Sequence, residues 1–139
     1  MKKILIIEDD PVVGLVYQRF LEKQGFATEL AADGVKGLER VTAFQPDAVL
    51  VDMMMPRVGG IAVIQSLRAD KAFRDLPMVV MSNACVPTLV EQAIKAGANH
   101  VIDKSTASPL AISELFYSLL KIGAENGAAA KGTVQCIRL

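Results

Sequence analysis

The sequence predicts an α/β fold: a doubly wound, five-stranded parallel sheet with helices on both faces. Short apolar runs alternate five times with longer segments of helical period, the pattern of successive βαβ units. The first, third and fourth of these runs are nearly all apolar, as strands covered on both faces require. A chain of 139 residues, 52% of them apolar, is also the right size to bury one full core.

The strands are expected at Lys3–Glu8, Ala27–Ala31, Ala48–Asp52, Met78–Ser82 and His100–Ile102. The helices are expected at Pro11–Gln24, Val35–Phe44, Gly60–Lys71, Pro87–Ala96 and Pro109–Ile122. Pro11, Pro87 and Pro109 suit first-turn positions because a helix start leaves its N–H groups unpaired; Gly25 and Gly97 suit C-terminal caps. In the first helix, Val12, Leu15, Val16, Phe20 and Leu21 recur at spacings of three and four and predict the core-facing stripe, with Gln18, Arg19, Glu22 and Lys23 toward water. Right-handed crossovers put helices on both sides of such a sheet, which makes the arrangement flavodoxin-like. Residues 1–122 form one domain in this reading. From Gly123 the apolar period is lost, so 123–139 reads as a linker or tail, disordered or ending in an edge strand over Thr133–Leu139.

Lys plus Arg equals Asp plus Glu at 15 each, so no charge excess draws the chain to nucleic acid or an anionic membrane. Cys85 and Cys136 lack the close spacing of zinc or redox motifs and read as reduced thiols; a redox role for Cys85 has no basic neighbour to support it. The apolar run after Lys2 and Lys3 is too short for a signal-peptide core or a membrane span. These features predict a soluble, cytoplasmic protein with no direct nucleic-acid or membrane partner.

In open α/β sheets, ligands bind beyond the carboxyl ends of the strands. The polar residues collect there: Glu8, Asp9 and Asp10 after strand one, Asp52 ending strand three, Ser82 and Asn83 at strand four, Asp103 and Lys104 at strand five. Asp10, just before Pro11, reads as a helix N-cap. Glu8, Asp9 and Asp52 together would repel one another unless a cation sat among them. Hard oxygen ligands without histidine or cysteine favour Mg²⁺, or Mn²⁺, with the Met54 carbonyl as a further ligand. Asp52, already ionised at neutral pH, is a competent nucleophile toward phosphorus, while Ser82 and Lys104 offer a hydroxyl and a positive charge to phosphoryl oxygens.

The runs ILIIEDDP and VLVDMMMPRVGG, the serine ending strand four and the lysine after strand five resemble response-regulator receiver domains over residues 2–122. That resemblance implies a phosphoacceptor that assists its own phosphorylation and dephosphorylation, not an enzyme with a separate substrate. Asp52 would take the phosphoryl group from a histidine kinase or phosphotransfer protein, and Glu8, Asp9, Asp52 and the Met54 carbonyl would hold Mg²⁺. Ser82 would be the hydroxyl switch and Lys104 the family lysine, passing the signal to a downstream protein or output domain, with dimerisation left open. The chain would be a single-domain regulator or a receiver taken from a longer one.

Three positions depart from the family pattern. Val101 stands where an aromatic rotamer commonly reports phosphorylation; His100 beside it would point to the opposite face of the strand. Ser105 replaces a proline that often follows a cis bond, and a cis bond without proline costs about 2.5–4 kcal/mol. Asn83 takes a place usually held by a small residue and is expected to modulate phosphoryl lifetime. Val101 and Ser105 support an alternative, a degenerate receiver that binds partners without being phosphorylated. A phosphatase with an aspartate nucleophile is a further alternative, although Met54 occupies the position of its second aspartate.

Overall fold

The computed structural model describes residues 1–83, 86–130 and 136–137, with side chains up to Leu120. Cys85, with its redox reading, lies outside the described residues, and so does most of Thr133–Leu139, where the edge-strand reading is met only at Cys136–Ile137.

The strands are β1 (Lys3–Ile7), β2 (Ala27–Ala31), β3 (Ala48–Asp52), β4 (Met78–Ser82), β5 (His100–Asp103) and the two-residue β6 (Cys136–Ile137). The helices are α1 (Pro11–Lys23), α2 (Gly34–Phe44), α3 (Gly60–Ala69), α4 (Pro87–Ala96) and α5 (Pro109–Ala130), with a single 3₁₀ turn at Lys71–Phe73. All pairings are parallel, in the order β2-β1-β3-β4-β5-β6. The first five strands therefore make the expected doubly wound sheet, and β6 pairs Cys136 and Ile137 with Val101 and Ile102. The proline starts hold for α1, α4 and α5, and Gly97 caps α4 at φ +120°. The helix α5 runs past Ile122 to Ala130, beyond its expected end.

Successive strand residues face opposite sides and build two cores. Leu5, Ile7, Val49, Val51, Val80 and Val101 pack under α2, α3 and α4, while Ile4, Ile6, Leu50, Val79, Met81 and Ile102 pack under α1 and α5. The central strands β3 and β4 are buried throughout, as their apolar runs predicted.

The face of α1 differs from the predicted one. Val12, Leu15 and Val16 are 70%, 43% and 51% exposed and Phe20 is half-buried, whereas Gly14, Tyr17 and Leu21 are buried; Gln18 is half-buried rather than solvated. The reason is close packing. A Cβ on Gly14 would lie 2.7 Å from Leu30 Cδ1, so the glycine lets the helix axis approach β2 and selects the Gly14–Tyr17–Leu21 stripe over the more apolar one. Gly60 has a similar role nearer the site, since a Cβ there would stand 2.5 Å from the Asp52 carbonyl. The start of α3 is thereby seated directly behind β3.

Candidate functional site

Parallel register carries the strand-end residues to one edge. Ile7 pairs with Val51, so Glu8, one residue on, lies beside Asp52; Ser82 pairs with Asp103 across β4 and β5. One carboxylate oxygen each from Glu8, Asp9 and Asp52 falls within 4.8 Å of the others. Glu8 and Asp52 are buried and Asp9 is exposed. The Lys104 ammonium reaches this group from β5, 2.7 Å from Glu8 Oε1 and 3.5 Å from Asp52 Oδ2.

The surrounding backbone orients the acids. Asp10 donates its N–H to Glu8 Oε2 at 3.1 Å, and its own carboxylate caps α1 by accepting from Val12 and Val13. Met54 donates its N–H to Asp52 Oδ1 at 3.4 Å. The Met54 side chain is itself exposed, so a contribution from this residue to the pocket belongs to its backbone.

Burial is the largest influence on the Glu8 carboxyl and pushes it up to about 7, the Lys104 contact and the Asp10 N–H pulling the other way. Burial also raises Asp52, opposed by Lys104. Lys104 is lowered by burial but raised on balance by Glu8 and Asp52. One ammonium thus faces three carboxylates, and the two buried ones hold protons more firmly than free acids. An all-oxygen cluster short of positive charge fits a hard divalent cation.

Ser82 is buried at the end of β4, and its carbonyl accepts the Lys104 N–H at 2.8 Å. Asn83 is exposed and lines a cleft of about 280 Å³ with Asp10, Val13, Tyr17, Lys104 and Ser105. Val101 is fully buried in the core under α4. His100 is half-buried, with Nδ1 unpaired among the described residues. No peptide bond among the described residues is cis, so Ser105 follows Lys104 through a trans bond.

Two residues at the site were given no role in the sequence. Tyr17 lines the cleft, and its only signal was the three-and-four spacing from Gly14 to Leu21. Asp103 looked like any acid at a strand end, yet it is buried and accepts hydrogen bonds from both the N–H and the hydroxyl of Ser105.

Residues 4–115 match the family model of the response regulator receiver domain. The chain belongs to this family. Receiver domains are signalling domains of two-component systems, and this one is 35% identical over 113 residues to the response regulator MprA of Mycobacterium ulcerans, covering 81% of this chain and 46% of that protein. It is 38% identical over 82 residues to the "DNA-binding dual master transcriptional regulator RpaA" of Synechocystis, covering 59% of this chain and 34% of that one. The receiver chain therefore spans less than half the length of these relatives.

Among solved structures, chemotaxis protein CheY4 of Vibrio cholerae superposes with a TM-score of 0.82 at 21% identity, covering 86% of this chain and 99% of that one. The receiver domain of a histidine kinase from Syntrophus aciditrophicus gives a TM-score of 0.80 at 25% identity, covering 87% and 91%. These likenesses agree with the doubly wound sheet described above.

Proposed function

We propose that this receiver domain accepts a phosphoryl group on Asp52 from a phosphohistidine of a kinase or phosphotransfer protein. The observation that carries the reading is the convergence of Glu8, Asp9 and Asp52 within 4.8 Å, with Lys104 Nζ 3.5 Å from Asp52. Glu8, Asp9, Asp52 and the Met54 carbonyl are the ligands for Mg²⁺, or Mn²⁺, which when bound neutralises charge on the phosphoryl oxygens. Asp52 attacks phosphorus through a carboxylate oxygen, forming the acyl phosphate as the bond to the donor nitrogen breaks. Lys104 and the Ser82 hydroxyl stabilise the phosphoryl oxygens, and Asn83, at the mouth of the cleft, modulates the lifetime of the product.

A donor must bring its phosphohistidine to a recessed carboxylate, so it needs a docking surface beside the pocket. The exposed Val12, Leu15 and Val16 supply one, on the helix that starts immediately after Asp9 and Asp10. The phosphoryl group adds about −1.5 to −2 charges and draws Lys104 away from Glu8. The response passes to α4, β5 and α5, and from there to a protein partner or an attached output domain. The reading carries a cytoplasmic location with it; no helix among the described residues is long and apolar enough to cross a membrane.

The test is incubation with acetyl phosphate and Mg²⁺, followed by intact mass. One phosphoryl adduct on wild type, absent without Mg²⁺ and absent from Asp52→Ala, is the expected result. No adduct on wild type, or one that persists in Asp52→Ala, overturns it. Val101 favours a second reading, a partner-binding receiver that works without phosphorylation, because a fully buried valine has no aromatic ring to reorient. Equal partner affinity before and after phosphorylation would establish that reading.

A further inference from the structure

The lysine that closes the acidic pocket sits in a turn whose hydrogen bonds converge on a neighbouring buried acid. Asp103 ends β5 opposite Ser82, and it is buried. Its carboxylate Oδ1 accepts from the Ser105 N–H at 2.9 Å and from the Ser105 hydroxyl at 2.6 Å. Its carbonyl accepts from the N–H groups of Thr106 at 3.2 Å and Ala107 at 2.9 Å. Between Asp103 and Ser105 lies Lys104, whose own N–H is tied to the Ser82 carbonyl at 2.8 Å. The backbone carrying the lysine is thus anchored to β4 on one side and folded back onto Asp103 on the other.

This anchoring matters because lysine presents a point charge on a flexible four-carbon stem. The stem does not set the position of the ammonium; its root and its walls do. Here the Lys104 side chain is only 13% exposed, and its ammonium spans Glu8 and Asp52. A charge aimed at a reacting phosphoryl group loses on the order of 10²-fold in rate for a misplacement of about 1 Å. Ser105, with both its donors on Asp103, is exposed, so these bonds do not knit the core. What they restrain is the turn.

We propose that Asp103 is a positioning residue for phosphoryl transfer at Asp52, holding Lys104 in place through its two bonds to Ser105. This rests on the phosphoacceptor reading of the same pocket. Asp103 does not touch the phosphoryl group and acts through Lys104.

The experiment is a double-mutant cycle on the whole chain, reading the maximal rate of phosphorylation by acetyl phosphate at saturating Mg²⁺. Asp103→Ala is expected to slow wild type on the order of tenfold. In a Lys104→Ala background the same change is expected to have an effect of about unity, because the group being positioned is gone. Ser105→Ala should show a smaller loss with the same dependence on Lys104, and Ser105→Thr, which keeps both donors, should restore the rate. The Ser105 pair carries the cycle if Asp103→Ala does not fold. Equal fold losses with and without Lys104 overturn the inference while leaving Asp52 as the acceptor. A wild type that takes up no phosphoryl group overturns both.

Discussion

Glu8 links the acidic pocket to the pH dependence of stability. Burial raises its carboxyl from 4.5 to about 7, against the pull of Lys104, so the folded protein holds a proton there more tightly than the unfolded chain does. Its contribution to stability is therefore complete below about 4.5 and is lost as pH rises toward 7. Glu8→Gln removes this dependence. Without divalent cation, thermal unfolding at successive pH values should show the variant gaining on wild type between pH 4.5 and 7; parallel curves would refute the assignment. Mg²⁺, binding the ionised form, should narrow the gap at the upper end. Asp52, Glu8, Asp9 and Lys104 were legible in the sequence because strand ends of a parallel sheet share one edge. Asp103 was legible at the same edge, but not its burial or its bonds to Ser105, since no spacing rule distinguishes a turn-closing acid from a solvated one.

At the scale of the element, α1 combines two unlike faces. Gly14, Tyr17 and Leu21 pack on the sheet, while Val12, Leu15 and Val16 remain in contact with water on the helix that follows Asp9 and Asp10. Leu15→Glu should lower the rate of phosphoryl transfer from a partner protein roughly tenfold or more, the loss of a central apolar contact. The rate with acetyl phosphate should not change, because the pocket is untouched, and stability should move by no more than about 0.5 kcal/mol. Parallel kinetics with the two donors make the comparison, and equal losses with both would exclude a docking role. Helical period located this element and its ends, but it favoured the wrong stripe. Hydrophobicity ranks faces by composition, whereas packing ranks them by how closely the backbone can approach, and at Gly14 the second consideration prevailed.

Over the whole molecule, one arginine joins parts of the chain that are distant in sequence. Arg68, near the end of α3, donates Nε and Nη2 to the Gly97 carbonyl at 3.0 and 2.8 Å, Nη1 to the Phe73 carbonyl at 2.9 Å, and Nη2 to Asn99 Oδ1 at 3.0 Å. The same Asn99 oxygen accepts the Met78 N–H at 2.8 Å, so the network ties α3 to the start of β4 and the turn into β5. Burial lowers the Arg68 pKa. Arg68→Ala should cost about 2–4 kcal/mol in urea unfolding with little change in slope, because several carbonyls lose a charged donor at once. Arg68→Lys should recover little, since an ammonium cannot fork to three acceptors. A loss under about 0.5 kcal/mol would show that the network is dispensable.

The sequence by itself determined the layer architecture, the order of elements and the edge at which polar residues meet. Those follow from period and from the short list of ways a parallel sheet can be covered. Only the tertiary structure decided which stripe of α1 is buried, that α5 continues to Ala130, and that Asp103 and Ser105 brace the turn bearing Lys104. Each of these depends on distances between groups, such as the gap between Gly14 and Leu30, which no linear pattern records.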